Sequence, residues 1–383
     1  MFEFVTATRI IFGKGSLTVG IEAVHPFGTK ALIVHGTGKA PLASLFGLLQ
    51  QQKILFVEST VSHEPSVETV QNITAFAREQ GCDFVIAIGG GSALDAGKAV
   101  AALLTNSGDL LDYLEVVGKN LPLQSLSAPC VTIPTTSGTG TEVTRNAVMT
   151  VPEKQVKVSL RSNLILPNLA IIDPELTYSL PPAITAYTGL DALTQVIEPF
   201  VSMKHNPLID VICRDGIQRS ARSLLTAFEK GENQAAREDL SLTSLYGGLA
   251  LTNSGLGAVH GFAAPVGGTF DAHHGAVCGI LLPVVVRMNI KALKSRAPGS
   301  FALERYAEVA RIVTGNPQAK SEDAADWLND LVEKMEIPGL SSYGITRNDF
   351  QSIAEKAQKA SSMKANPIAL TDSELVEILE SAL

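Results

Sequence analysis

Five short apolar, β-branched runs in the first half of the chain, at residues 31–34, 54–57, 84–88, 130–133 and 169–172, are separated by longer stretches. That alternation constrains the fold more than any other feature. Residues 66–80 and 93–104, lying between the runs, carry apolar positions at helical spacing. Strands joined by helical crossovers pair in parallel and need helices on both faces of the sheet. Residues 1–182 are therefore expected to form a doubly wound, mostly parallel α/β domain. After Pro181-Pro182 the β-branched runs stop. Trp327, Leu331 and Met335 then fall at i, i+4 and i+8 before Pro338-Gly339 ends the stretch. Thr371 and Glu374 have capping-box spacing ahead of a last apolar helix. Residues 183–383 are expected as an all-helical second domain.

The length of 383 residues agrees with two domains. Thirty Lys+Arg against 38 Asp+Glu leave a formal charge of −8, which argues against a nucleic-acid or anionic-membrane surface. Cys82, Cys130, Cys213 and Cys278 are far apart, in apolar surroundings and without a C-x-x-C pair, a pattern of reduced core thiols in a cytoplasmic protein. Met1-Phe2-Glu3-Phe4-Val5 shows neither the basic nor the apolar region of a leader, and no apolar run is expected to approach the roughly 20 residues of a membrane helix. A soluble, untargeted protein is expected.

Gly89-Gly90-Gly91-Ser92 follows an apolar strand and opens a helix containing Asp95 and Lys98. Backbone N–H groups and the helix dipole converge there, so a pyrophosphate fits; a tight strand-to-helix turn uses the same residues. Pro134-Thr135-Thr136-Ser137-Gly138-Thr139-Gly140-Thr141-Glu142 also follows a strand, and its hydroxyls suit phosphate or ribose oxygens as well as a plain turn. Two such loops at carboxyl ends of parallel strands are what a dinucleotide site across an α/β sheet requires. In the helical half, Asp191 and Gln195 are four apart on one helix face, and His260 and His274 flank a Gly- and Pro-containing stretch. One carboxylate and two imidazoles suffice for a divalent metal with an open position, although single histidines also occur as core or surface residues. Phe262, Phe270, His273 and Cys278 lie near these residues in sequence as candidate pocket lining, whereas His63 and His205 read as surface residues.

These motifs carry a resemblance. The chain resembles the iron-containing (group III) alcohol dehydrogenases, of the dehydroquinate synthase-like fold, from Arg9-Ile10-Ile11-Phe12-Gly13 to Asn366-Pro367. The resemblance rests on the 89–95 and 134–142 segments, Asp173-Pro174-Glu175, Thr188-Gly189-Leu190-Asp191-Ala192-Leu193, and His274-Gly275 before Ile280-Leu281-Leu282-Pro283. It implies a nucleotide-binding domain, a helical domain, a divalent metal (Fe2+ or Zn2+) and a homodimer or larger assembly. The family's metal ligands fall on Asp191, His260 and His274, and its remaining ligand histidine is Gln195 here, a further oxygen donor. A histidine near the substrate in many members is Ala264 here, which leaves His273, water or a ribose hydroxyl as proton source. Glycerol dehydrogenases of the same superfamily are similar in using one aspartate and two histidines.

The same resemblance assigns cofactor contacts to Gly36, Lys39, Gly89, Gly90, Gly91, Ser92, Asp95, Thr135, Thr136, Thr139 and Lys157. NAD-preferring members have an aspartate near Gly36, where its charge repels a 2′-phosphate. Gly36 and the neighbouring Lys39 therefore point to NADP(H) in preference to NAD(H). The expected function is a metal-dependent alcohol dehydrogenase or aldehyde reductase acting on a small alcohol or aldehyde. The alternatives are a metal-independent reductase of the maleylacetate reductase type, a lyase of the dehydroquinate synthase kind, and a nucleotide-binding protein that has lost activity.

Overall fold

The structure, a computed structural model, describes residues 1–38, 40–154 and 156–383. It divides into two compact units, Val5–Tyr178 and Ser179–Leu383, the second also taking in Met1–Phe4.

In the first unit the chain runs β1 (Ile10–Phe12), α1 (Ser16–Glu22), β2 (Lys30–His35), α2 (Ala40–Gln51), β3 (Leu55–Thr60), α3 (Val67–Glu79), β4 (Phe84–Gly89) and α4 (Gly91–Thr105). It continues through α5 (Leu110–Tyr113), β5 (Cys130–Pro134), β6 (Asn146–Val151), β7 (Val156–Arg161) and β8 (Leu169–Ile172). Six strands form one sheet in the order β1-β8-β5-β4-β2-β3, with every adjacent pair parallel. Alternate side chains of one strand serve opposite faces: Ala31 and Ile33 join the core that includes Leu45 and Leu49 of α2, while Leu32 and Val34 join the core that includes Val70 and Ile73 of α3. Both faces are covered, which is why β2 and β4 read as unbroken apolar runs. Two features were not anticipated from sequence: the three-residue edge strand β1, and the antiparallel hairpin of β6 and β7, which stands outside the main sheet.

From β2 the chain moves outward to β3 and then returns to β4 on the other side of β2. The carboxyl ends of β2 and β4 thus mark a topological switch point, where the two following loops diverge and leave a crevice for a ligand.

The second unit is helical: α6 (Pro182–Val201), α7 (Pro207–Glu229), α8 (Gln234–Ser254), α9 (Ala258–Thr269), α10 (His274–Arg296), α11 (Phe301–Thr314), α12 (Ser321–Lys334), α13 (Phe350–Lys359) and α14 (Asp372–Ser381). Helix α6 is buried almost throughout, packed by α7, α8 and α10. Helix α12 ends at Lys334, so Met335 lies just past its end, buried with Leu331. The capping box expected at Thr371 is formed: the Glu374 N–H donates to Thr371 Oγ1 at 3.3 Å and the Thr371 N–H to Glu374 Oε2 at 2.8 Å. One expectation needs correction. Helix α10 spans 23 residues with a mean hydropathy of 1.7 in its most apolar window, long and apolar enough to cross a membrane. Scattered polar residues hide it from a search for unbroken apolar runs. That window is 83% buried in the folded chain, and its apolar residues join the core cluster of the helical unit.

The seam between α4 and β4 offers a stringent test of this packing. A Cβ on Gly97 would lie 2.4 Å from Ala87 Cβ, whereas one on Gly47 of α2 meets nothing within 4 Å. Gly97→Val is expected to lower stability by about 1–3 kcal/mol or more through overpacking, and Gly47→Ala to raise it by up to about 1 kcal/mol. Urea midpoints moving the other way would show that α4 does not press on the sheet as described.

Candidate active site

Helix α6 supplies three polar residues from within its buried length: Asp191, Gln195 and, one further turn along, Glu198. Offsets of four and seven residues place them along one helix face. Helix α9 brings His260 to that face, and the first turn of α10 brings His274 and Cys278. His260 Nε2 lies 3.3 Å from Asp191 Oδ1, and His274 Nε2 lies 3.7 Å from the same oxygen. Asp191 is 2% exposed. Burial pushes its carboxyl up, but the nearby His274 and His260 outweigh that and hold it at about 2. Burial equally opposes a charge on His260, yet Cys278, Asp191 and Glu198 keep that ring well above the usual imidazole range.

Glu198 orients the imidazole of His260. Its Oε2 lies 2.7 Å from His260 Nδ1, and its Oε1 accepts the Val259 N–H at 2.7 Å. The His260 ring is thereby fixed with Nε2 toward Asp191, the outer support that a ligating histidine commonly receives. A Cβ on Gly257 would meet Glu198 Oε1 at 2.8 Å, so the start of α9 is kept bare for this carboxylate.

The donor set suits a divalent cation. Ligands at the roughly 2.0–2.2 Å usual for nitrogen and oxygen on zinc, set tetrahedrally, are about 3.3–3.6 Å apart. The measured 3.3 and 3.7 Å are close to that edge. Asp191 Oδ1, deeply buried, has no normal hydrogen bond among the described residues, an orphaned anionic oxygen that a cation satisfies. Asp191, His260, His274 and Cys278 place their ligand atoms within 4.8 Å of one another.

Gln195 is buried beside Asp191 and helps lower its pKa through a side-chain hydrogen bond. Its Oε1 faces α8, since a Cβ on Gly247 would come within 3.1 Å of it. His273 is exposed at the N-cap of α10, its ring 5.0 Å from that of Tyr187. Phe262 is fully buried and Phe270 partly so. His63 is exposed, but His205 belongs to an ion-pair cluster, 3.0 Å from Arg305 and 3.5 Å from Asp210.

In the first unit, the switch-point crevice brings Gly36 and Gly89 together. The Gly36 N–H donates to Ile88 O at 3.2 Å. Gly89 has φ 148°, and a Cβ there would lie 2.9 Å from Ala93 Cβ and 3.1 Å from Gly36 N, so no side chain fits. Gly90 and Gly91 open α4 and lie against the threonine loop: their added Cβ atoms would sit 3.6 Å from Thr136 Oγ1 and 2.8 Å from Thr139 Cγ2. The Thr135 N–H donates to Gly89 O at 2.9 Å, and Gly90, Gly91, Ser92, Thr135, Thr136 and Thr139 remain partly exposed. This cradle of backbone N–H groups and hydroxyls fits a pyrophosphate.

Asp95 turns inward, accepting from Thr141 Oγ1 at 2.5 Å and lying 3.3 Å from Lys98 Nζ. Lys98, fully buried, donates to Thr141 Oγ1 at 2.7 Å and Thr144 Oγ1 at 2.9 Å. The pair clamps the threonine loop to α4. Lys157 Nζ is 2.5 Å from Glu64 Oε1. Lys39 lies outside the described residues. Glu198 and the Asp95–Lys98 clamp are the functional features that sequence reasoning missed; the seven-residue offset from Asp191 was the available signal for Glu198.

Comparisons with known proteins agree over the whole chain. Residues 7–174 match the family described as "Iron-containing alcohol dehydrogenase", and residues 185–383 match "Fe-containing alcohol dehydrogenase family, C-terminal". Alcohol dehydrogenase 4 of Saccharomyces cerevisiae is 34% identical over 379 residues, covering 97% of this chain and 96% of the yeast protein. The crystal structure of a 1,3-propanediol oxidoreductase matches with a TM-score of 0.92 at 32% identity, covering 100% of both chains. Sulfoacetaldehyde reductase of Bifidobacterium kashiwanohense, solved in complex with NAD+, matches with a TM-score of 0.87 at 27% identity, covering 100% of this chain and 98% of that one.

The threonine loop also carries a pH-sensitive group. Glu142 is buried, its Oε1 has no hydrogen-bond partner among the described residues, and burial pushes its carboxyl from 4.5 up to about 7. The folded chain holds a proton there that the unfolded chain has already released. This contribution to stability is full below about 4.5 and fades as pH rises through about 7. Glu142→Gln is expected to flatten stability across that window, gaining on the order of 3 kcal/mol relative to wild type at its upper end. Parallel stability curves for the two proteins would contradict the raised titration of this buried carboxyl.

Proposed function

The chain belongs to the iron-containing alcohol dehydrogenase family, and from that premise we propose that it interconverts a small alcohol and its aldehyde using a divalent metal, with NADP(H) as the favoured hydride carrier. The observation that carries this reading is the convergence of Asp191, His260 and His274 on an orphaned, buried carboxylate oxygen. Asp191 supplies negative charge and the two imidazoles supply neutral nitrogen donors for Fe2+ or Zn2+. When bound, the ion polarises the substrate carbonyl and the reduced nicotinamide supplies hydride to its carbon. Glu198 keeps His260 in the orientation this requires. Residue 264 is alanine, so the proton that joins the carbonyl oxygen on reduction comes from water, a ribose hydroxyl or the exposed His273.

The nucleotide is assigned to the switch-point crevice, its pyrophosphate against residues 89–92 and the threonine loop. Gly36 offers no carboxylate to repel a 2′-phosphate, which supports the NADP(H) preference. The four cysteines are free of disulfides, in keeping with a reducing, cytoplasmic setting.

The test is oxidation of NADPH and NADH against a panel of small aldehydes, before and after chelation. Activity is expected to favour NADPH, vanish on chelation, return with Fe2+ or Zn2+, and fall with metal content in His274→Ala. A Cβ on Gly36 meets nothing within 4 Å, so Gly36→Asp is accommodated and is expected to shift selectivity toward NADH about 10-fold or more. Full activity of the metal-free protein, or a wild type that already favours NADH, would overturn the corresponding half of the reading.

A further inference from the structure

We propose that Cys278 is a protein ligand of the divalent ion, its thiolate completing the set formed by Asp191, His260 and His274 where residue 195 offers no imidazole; this rests on the metal-dependent reading above. Cys278 is fully buried on α10, one turn after His274, so both side chains leave the helix on the same face. Its Sγ lies 3.6 Å from His274 Nε2 and 3.9 Å from His260 Nε2. With zinc–sulfur near 2.3 Å and zinc–nitrogen near 2.0–2.1 Å, a tetrahedral nitrogen-to-sulfur edge is about 3.5–3.6 Å. The 3.6 Å to His274 matches that edge and the 3.9 Å to His260 is somewhat longer, and the sulfur falls within the same 4.8 Å cluster as both imidazoles.

Two unpartnered buried atoms point the same way. Asp191 Oδ1 lacks a hydrogen bond among the described residues although it sits between the imidazoles, so the centre of the cluster is short of a cation. Gln195 Oε1 also lacks one, but it faces α8 at Gly247. The amide oxygen is turned from the cluster, whereas the sulfur is not. Binding balances in charge: the thiol releases its proton to solvent, and one carboxylate and one thiolate neutralise the dication. Exposure divides the set, because the His274 side chain is 34% exposed while Cys278 is fully buried. The sulfur thus lies on the buried side of the cluster and His274 on its more exposed side. A thiolate also makes the site softer, favouring zinc over ferrous iron.

Cobalt(II) tests this directly, because thiolate ligation produces a near-ultraviolet sulfur-to-cobalt charge-transfer band. Chelated wild-type protein given one equivalent of cobalt is expected to bind it and show the band. Cys278→Ser is expected to lose the band and bind cobalt about 100-fold more weakly, while Cys82→Ser keeps both. X-ray absorption of the zinc-loaded wild type, which needs no variant, is expected to show one sulfur at about 2.3 Å. Cobalt bound without the band, a band that persists in a folded Cys278→Ser, or zinc with only nitrogen and oxygen neighbours would overturn the assignment while leaving the metal-dependent reading intact. A wild type that takes up no cobalt or zinc would overturn both. Thiolate-ligated metal in a protein without aldehyde reduction would uphold Cys278 and overturn the function.

Discussion

A carboxylate buried in a helical core is the constraint on which the second unit depends. Asp191 sits two and a half turns into α6, in a core otherwise made of Leu190, Leu193 and Val196 and the helices packed on them. An isolated charge there is costly, and proteins tolerate it only when it is paired or metal-bound. The helices around it are arranged to meet that need: α9 and α10 deliver imidazoles to Oδ1, and Glu198 fixes the first of them from the far side. Two acidic residues share the nitrogens of His260, and together with Cys278 they hold its ring above the ordinary imidazole range.

The first unit solves a different problem by subtraction. At the switch point between β2 and β4, Gly36 and Gly89 approach so closely that a side chain at Gly89 has nowhere to go. The partly exposed residues beyond them open α4, where the helix dipole favours an anion. The Asp95–Lys98 pair contributes from behind. It ties the threonine loop to α4, so the hydroxyls are presented by a rigid support and not by a free turn.

Much of this was legible in the sequence because its physics is local. The run Phe84-Val85-Ile86-Ala87-Ile88 ends in glycines, and both the buried strand and the abrupt turn follow from those residues alone. The hairpin of β6 and β7 escaped because Asn146, Thr150, Lys157 and Ser159 interrupt its apolar positions and lie only half-buried. Asp191, His260 and His274 were picked out by the family resemblance. Glu198 was not, since an acid seven residues from another on a helix reads like any solvated face until α9 is seen packed against it. Asp95 shows the converse. The resemblance gave it a cofactor contact, whereas Thr141 and Lys98, 46 and 3 residues away, engage its carboxylate, and the first of these is a tertiary fact.

The claim that a cation belongs beside Asp191 is tested most directly by metal-dependent thermal unfolding of chelated protein. Free metal at about 100 times its dissociation constant stabilises a binding-competent fold by about 2.7 kcal/mol. Wild type is expected to show the corresponding rise in Tm, and Asp191→Asn, which keeps the shape and removes the charge, is expected to show none. An equal rise in Asp191→Asn, or no rise in wild type, would contradict the account.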